Sequence, residues 1–303
     1  MLSNVPFEIP AYLLERARAL PKMTVAVAGA GNPVALESLR QAVEADLVEP
    51  ILVGDPDDIR DAARAIDWDT TSFRIEAADS EAKASEKAVA LCRHGEAQLL
   101  MKGHVHTDEI MRAVIDRENG LRTGRRTSHV FHMTIPDSEK SIMLTDCALN
   151  VAPNIRTRIA IVENVVTLAH KLGNAEPRVA LLAASESISR AMPVTQECEQ
   201  ITAHFATSEL GAEVYGPLAF DNIVSTDAAK MKGIDHPVAG GADVIVVPTI
   251  EAGNSLFKMM VYFMSACAAG IVLGGKVPVL LTSRADPPAA RLASAALGAI
   301  SAY

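Results

Sequence analysis

Residues 23–28 form a short apolar run without helical spacing, and Gly29-Ala30-Gly31-Asn32 interrupts it before apolar positions recur with helical spacing across residues 34–45. A second apolar run, Ile51-Leu52-Val53, stops at Gly54-Asp55-Pro56. The order is strand, helix, strand. It continues at residues 80–92, 97–101 and 106–114, which read as helix, strand and helix. Alternation of this kind predicts a parallel sheet covered by helices on both faces.

The middle of the chain departs from that pattern. Residues 128–134 and 141–144 are both strand-like, and only the turn at Pro136-Asp137-Ser138 separates them, which predicts a hairpin. Helices over 155–172 and 193–205 then alternate with strands over 179–183 and 244–247. The apolar stretch 259–273 reads as a buried helix running into a strand, and a partner subunit covering part of residues 256–269 would explain why that helix is almost wholly apolar. A strand over 277–282 and a helix over 287–299 close the chain. No flexible linker marks a boundary, so the division rests on the change of element order. Residues 1–135 with 277–303 form one α/β domain, and residues 136–276 form a second, dimerising one.

The chain has 303 residues, 49% of them hydrophobic, which is ample for a large core. A formal charge of −9 argues against a general affinity for nucleic acid or anionic membrane and leaves local basic sites as the places for anions. Aromatic content of 4% offers little for base stacking. Cys92, Cys147, Cys198 and Cys267 are scattered without a CxxC pair, so neither a disulfide framework nor a zinc knuckle is indicated. The N-terminal segment carries Glu8, Glu15 and Arg16 where a signal peptide would be basic and then apolar. The longest apolar stretch falls short of the ~20 residues of a bilayer span. A cytoplasmic protein is expected.

In open parallel sheets ligands bind beyond the carboxyl ends of strands, so the polar turns there carry the candidate chemistry. Gly29 to Asn32 could offer amides to a phosphate, but the dinucleotide fingerprint needs a third glycine where Val34 stands, and a structural turn is the stronger reading. Lys102, in MKGHVHT, ends a strand and is an anion ligand, whereas His104 and His106 lack the carboxylates that would complete a metal set. The segment LRTGRRTS gathers Arg122, Arg125 and Arg126 with Thr123, Thr127 and Ser128, which suits phosphate oxygens, although a solvated basic loop has the same composition.

Asp146, Cys147 and Asn150 lie close together in LTDCALN, with Cys147 lining a pocket rather than acting as a nucleophile. In IEAGNSL, Asn254 and Ser255 would cap the apolar helix and, with Gly253, form an anion- or carbonyl-binding helix start. Ser283 and Arg284 stand between the last strand and Pro287-Pro288. A hydroxyl and a guanidinium side by side can bind a phosphoryl group and polarise an acyl carbonyl, with Asp286 near enough to accept a proton.

The segments KGHVHT, LRTGRRTSHV, LTDCALNVAP, GPLAFDNIVS, KGIDHPVAGGADVIVVPTIEAGN and LTSRAD, in this order, resemble the phosphate acetyl/butyryltransferase family, and most of all its butyryltransferase branch. The resemblance implies a two-domain, three-layer α/β/α fold of the isocitrate/isopropylmalate dehydrogenase-like type with an interdomain cleft. It also implies a homodimer that converts acyl-CoA and inorganic phosphate to acyl phosphate and CoA, with CoA as substrate and no tightly bound cofactor or metal. By motif, Ser283 and Arg284 match the family's reacting centre. The acetyltransferase branch takes the CoA thiol proton on an aspartate at the position of Ala290, and the butyryltransferase branch carries Asp286 instead. A metal- and NAD-dependent dehydrogenase of the same fold, or an inactive sensor of CoA or acyl phosphate, are the rival readings.

Overall fold

The computed structural model describes residues 3–136, 138, 140–281 and 286–303. The chain forms two compact units, one of Phe7–Arg125 and Ala269–Tyr303, the other of Met1–Pro6 and Arg126–Ala268.

The first unit opens with α1 (Ala11–Arg18), β1 (Met23–Ala28), α2 (Pro33–Glu44), β2 (Val48–Gly54) and α3 (Pro56–Ala65). It continues with β3 (Arg74–Ala77), α4 (Glu81–Arg93), β4 (Leu99–Lys102) and α5 (Thr107–Ile115). Polar side chains after β1, β2 and β3 cap the helices that follow. Asn32 accepts hydrogen bonds from the amides of Val34 and Ala35 at 3.0 and 3.4 Å, and Asp55 caps α3 through Asp57 and Asp58 at 2.8 and 3.2 Å, with Pro33 and Pro56 next in line.

The second unit contains β5 (Ser128–Thr134), β6 (Ser141–Thr145), α6 (Ile155–Lys171), β7 (Arg178–Leu182) and α7 (Pro193–Phe205). It goes on through β8 (Glu213–Leu218), α8 (Phe220–Val224), α9 (Thr226–Met231), β9 (Val244–Val246) and α10 (Ile250–Met264). The chain then returns to the first unit by β10 (Cys267–Leu273), β11 (Val279–Leu280) and α11 (Pro288–Ala302).

Strands run in the order β3-β2-β1-β4-β11-β10 in the first unit and β5-β6-β9-β7-β8 in the second. Every residue of β1 except Thr24 is buried, as are all of β9 and all of β7 after Arg178, so helices cover both faces of each sheet. The sheets are mixed rather than purely parallel. β5 lies antiparallel to β6, and β10 to β11, because connections as short as residues 274–278 turn the chain back without room for a crossover helix.

The unit boundaries also fall earlier than the sequence division at 135 and 276. Both hairpin strands belong with β9, since β6 pairs with it, while most of β10 goes with the first unit because it pairs with β11 and through it with β4.

The apolar stretch at 259–273 does give helix followed by strand, but the helix is not buried. Of α10 only Gly253 is fully covered, and Met259, Tyr262, Phe263 and Met264 are 49, 51, 58 and 43% exposed. Leu256, Phe257 and Met260 pack on the core of the second unit, so the mostly apolar stretch of α10 after Ser255 has one satisfied face and one bare one.

Candidate active site

In the second unit Val130 pairs with Thr145, which sets the start of antiparallel β5 beside the carboxyl end of β6, and Thr145 pairs in turn with Val246 of parallel β9. Residues 126–128, the turn after β6 and the start of α10 therefore meet at one sheet edge. Buried Asp146 organises it. Its carboxylate accepts five hydrogen bonds, from the amides of Ala148, Leu149, Asn150 and His129 at 3.0, 2.9, 3.3 and 3.1 Å and from Asn150 Nδ2 at 2.6 Å.

Asn150 carries the frame outward. Its Nδ2 also donates to the Thr127 carbonyl at 2.9 Å, and its Oδ1 accepts from Arg126 Nε at 2.9 Å. The partners fix which end of the amide is oxygen, because a guanidinium can only donate and a carboxylate or carbonyl can only accept. Asn164 of α6 completes the set, its Nδ2 donating to the Arg126 carbonyl at 2.8 Å and to Ser128 Oγ at 2.9 Å. The structure thus brings together Arg126, Thr127, Ser128, Asp146 and Asn150. Ser128 and Asp146 are buried, and their side-chain oxygens are taken up by these hydrogen bonds.

Cys147 lies under the first turn of α10. A Cβ on Gly253 would come within 2.8 Å of its Sγ and 3.0 Å of the Asp146 carbonyl, so glycine is what lets the helix approach. α10 starts at Ile250, with extended Thr249 as its N-cap, so Asn254 and Ser255 sit in its second turn and do not cap it. The Cys147 thiol is fully buried, and burial together with the Asp146 charge pushes its pKa far up. Cys147→Ala is accordingly expected to leave steady-state turnover within about threefold of the parent, whereas a nucleophilic role would abolish it.

His129 and His132 on β5 are buried too, and desolvation lowers each imidazole to about 4, in His129 against the opposing pull of Asp146. Both are neutral in the fold and take up protons near pH 6.5 once unfolded, so acid favours the unfolded chain. Stability is expected to be full above about pH 6.5 and to fall as pH drops toward about 4. Melting temperatures across that range test this, and His132→Gln should flatten the slope.

In the first unit the turns after β1 and β4 lock together. The amides of Gly103 and His104 donate to the carbonyls of Ala28 and Gly29 at 2.8 and 2.7 Å, and a Cβ on Gly103 would meet the Gly29 carbonyl at 2.4 Å. Gly29 and Ala30 give their own amides to the Val53 carbonyl at 2.9 and 3.0 Å, so this loop is a structural turn whose donors are used.

Lys102, half-buried at the end of β4, opens onto a polar cavity of about 140 Å³ lined by Glu81, Lys102, Gly103 and residues 104–107. His106 gives its amide to Glu81 Oε2 and sets its Nδ1 on the same oxygen, both at 2.8 Å, and the amide bond is the larger cause of the lowered Glu81 pKa. Arg122 is exposed, and Thr123 Oγ1 donates to the Gly274 carbonyl at 2.7 Å. Among the described residues no three His, Cys, Asp or Glu side chains converge as a metal site would need.

Ser283 and Arg284 lie outside the described residues. Asp286 is half-buried just before α11. Ala290 is 4% exposed in the first turn of α11, where its carbonyl accepts from Ser294 Oγ at 2.8 Å, so a carboxylate in its place would face the core. Sequence reasoning overlooked Asn164. Its signal was there: a lone amide among Ile161, Val162, Val165 and Val166, all buried, must find partners inside.

A family model described as Phosphate acetyl/butaryl transferase matches residues 76–299. The phosphate acetyltransferase of Rhizobium meliloti is 41% identical over 289 residues, which cover 95% of this chain and 92% of that one. The phosphate butyryltransferase of Clostridium beijerinckii is 36% identical over 289 residues, covering 95% and 96%. The crystal structure of a branched-chain phosphotransacylase from Enterococcus faecalis is similar with a TM-score of 0.81 at 33% identity, covering 93% of this chain and 99% of that one. The six motifs, the α/β architecture and these likenesses agree, and the chain belongs to the phosphate acetyl/butyryl transferase family.

Proposed function

We propose that the chain transfers a short acyl group, butyryl or acetyl, reversibly between CoA and inorganic phosphate, by direct attack in a ternary complex. In the direction of CoA acylation the thiol sulfur attacks the carbonyl carbon of the acyl phosphate while its proton passes to Asp286. The C–O bond to the phosphoryl group then breaks and phosphate leaves with the electron pair. Ser283 and Arg284 stabilise the developing oxyanion and the departing phosphate, with Lys102, Arg122 and Arg126 as anion ligands.

One observation carries the direct route. Cys147, the thiol in the site motif, is fully buried and held protonated, which supports attack by the substrate's own sulfur rather than an acyl-cysteine intermediate. Thiol release from acetyl-, propionyl- and butyryl-CoA, with and without phosphate, tests the reading. Phosphate-dependent release is expected, and tight CoA binding without turnover would overturn it.

The enzyme works as a homodimer in the cytoplasm, a reading supported by the bare face of α10 and by four reduced, buried cysteines. Among the described residues no helix is long and apolar enough to cross a membrane. Light scattering is expected to give twice the chain mass of 32.1 kDa, and Phe263→Glu to halve it.

A further inference from the structure

We propose that Asp146, Asn150 and Asn164 are positioning residues that hold the Arg126 guanidinium as a fixed fork for the phosphate group of acyl phosphate, or for inorganic phosphate in the reverse direction. This rests on the acyltransferase reading and sharpens it, by choosing among the arginines of the basic segment and by giving the buried polar residues of the site one task.

The geometry separates Arg126 from its neighbours. Arg122, Arg125 and Arg126 are all exposed, but among the described residues a side-chain hydrogen bond holds the guanidinium of Arg126 alone. Arg126 is gripped at both ends: its carbonyl by Asn164 at 2.8 Å and its Nε by Asn150 at 2.9 Å. Engaging Nε orients the guanidinium plane and leaves the two Nη groups, which among the described residues have no partner, as a parallel pair of donors. That pair matches two oxygens of a phosphate. The anchor is itself immobile. Asn150 is 5% exposed and takes three side-chain hydrogen bonds, of which the 2.6 Å contact to Asp146 is shortest, while Asp146 is pinned by four backbone amides.

Rigid backing of this kind adds nothing to a merely solvated arginine, but it lowers the entropy lost when the fork closes on an anion. The same edge joins the turn after β6 to the turn before α10, where ligands of such sheets bind. Asn164 reaches it from α6, which carries none of the family motifs quoted above.

The test is a double-mutant cycle read on Michaelis constants for inorganic phosphate and for acyl-CoA, determined separately. Arg126→Ala and Asn150→Ala are each expected to raise the constant for phosphate about tenfold or more, leaving that for acyl-CoA nearly unchanged. In the Arg126→Ala background, Asn150→Ala is expected to have no further effect on it, as groups acting in series do. An equal cost in both backgrounds would show that Asn150 does not act through Arg126 and would overturn the positioning role.

A rise confined to acyl-CoA, with dephospho-CoA insensitive, would assign Arg126 to the ribose phosphate of CoA and overturn the assignment to acyl phosphate. An unchanged constant for phosphate in Arg126→Ala would overturn it as well, while turnover by the parent enzyme would leave the acyltransferase reading standing. Should Asn150→Ala fail to fold, Arg126→Lys carries the test, because lysine keeps the charge but has neither the Nε anchor nor the fork. It is then expected to behave like Arg126→Ala, and full retention of phosphate affinity would overturn the proposal.

Discussion

Arg284→Ala and Ser283→Ala are each expected to slow phosphate-dependent thiol release from acyl-CoA by about 10² to 10³-fold, with little change in melting temperature. Charge develops on the acyl oxygen and on the departing phosphate, and a donor set in place beforehand is worth most at that moment. A hydroxyl and a guanidinium adjacent in sequence can serve both oxygens at once. The two residues stand in LTSRAD, one of the motifs shared with the family, between β11 and α11. Asp286→Asn is expected to slow the same assay by about 10²-fold or more and to change its pH profile, because it removes the proposed proton acceptor while keeping the shape. Stopped assays over pH 6–9 with purified variants would decide, and full activity in Ser283→Ala and Arg284→Ala together would sink the assignment.

Asp146→Ala is expected to be the most destabilising single change at the site, at about 3–5 kcal/mol, which for a chain of this size is a melting temperature lower by roughly 10 °C. The carboxylate accepts five hydrogen bonds in a buried position, and alanine leaves those donors with neither a partner nor water. Part of that loss returns as the turn after β6 relaxes, which is why the total is smaller than the sum over donors. Asp146→Asn is expected to lose less, since one oxygen survives, but its Nδ2 would face Asn150 Nδ2 or the amides of residues 148–149. Calorimetric or fluorescence melting of both variants checks the order, and an Asp146→Ala protein as stable as the parent would show that the turn is held by other means.

Much of this architecture was legible in the apolar pattern. Strands β1, β2, β4, β7 and β9 are each built on a buried run of Val, Ile, Leu, Ala or Met, and the polar turns after β1, β2 and β4 announce a cap or a site turn. Edge strands were not legible. β3, Arg74–Ala77, is exposed at both ends and half-buried between, so it lacks the apolar run, and β8 contains Gly216-Pro217, residues that normally argue against a strand and are tolerated at a sheet edge. The short helices α8 and α9 fell in the same gap.

Residue chemistry alone pointed to an α/β protein of two units, and to the polar turns at the carboxyl ends of its strands as the places where anions are expected. Those readings follow from local pattern and from the types of side chain in each turn. Burial is a property of the assembled fold, so only the tertiary structure could decide which site residues face a ligand and which stand behind them. It put Ser128, Asp146 and Cys147 under the surface, brought Asn164 from a helix that no motif marks, and left one side of α10 bare. It also decided which arginine of the basic segment is braced. Side-chain hydrogen bonds such as that of Arg126 to Asn150 join residues 24 positions apart, and sequence spacing cannot show that β5 and β6 pair in the register that makes them neighbours.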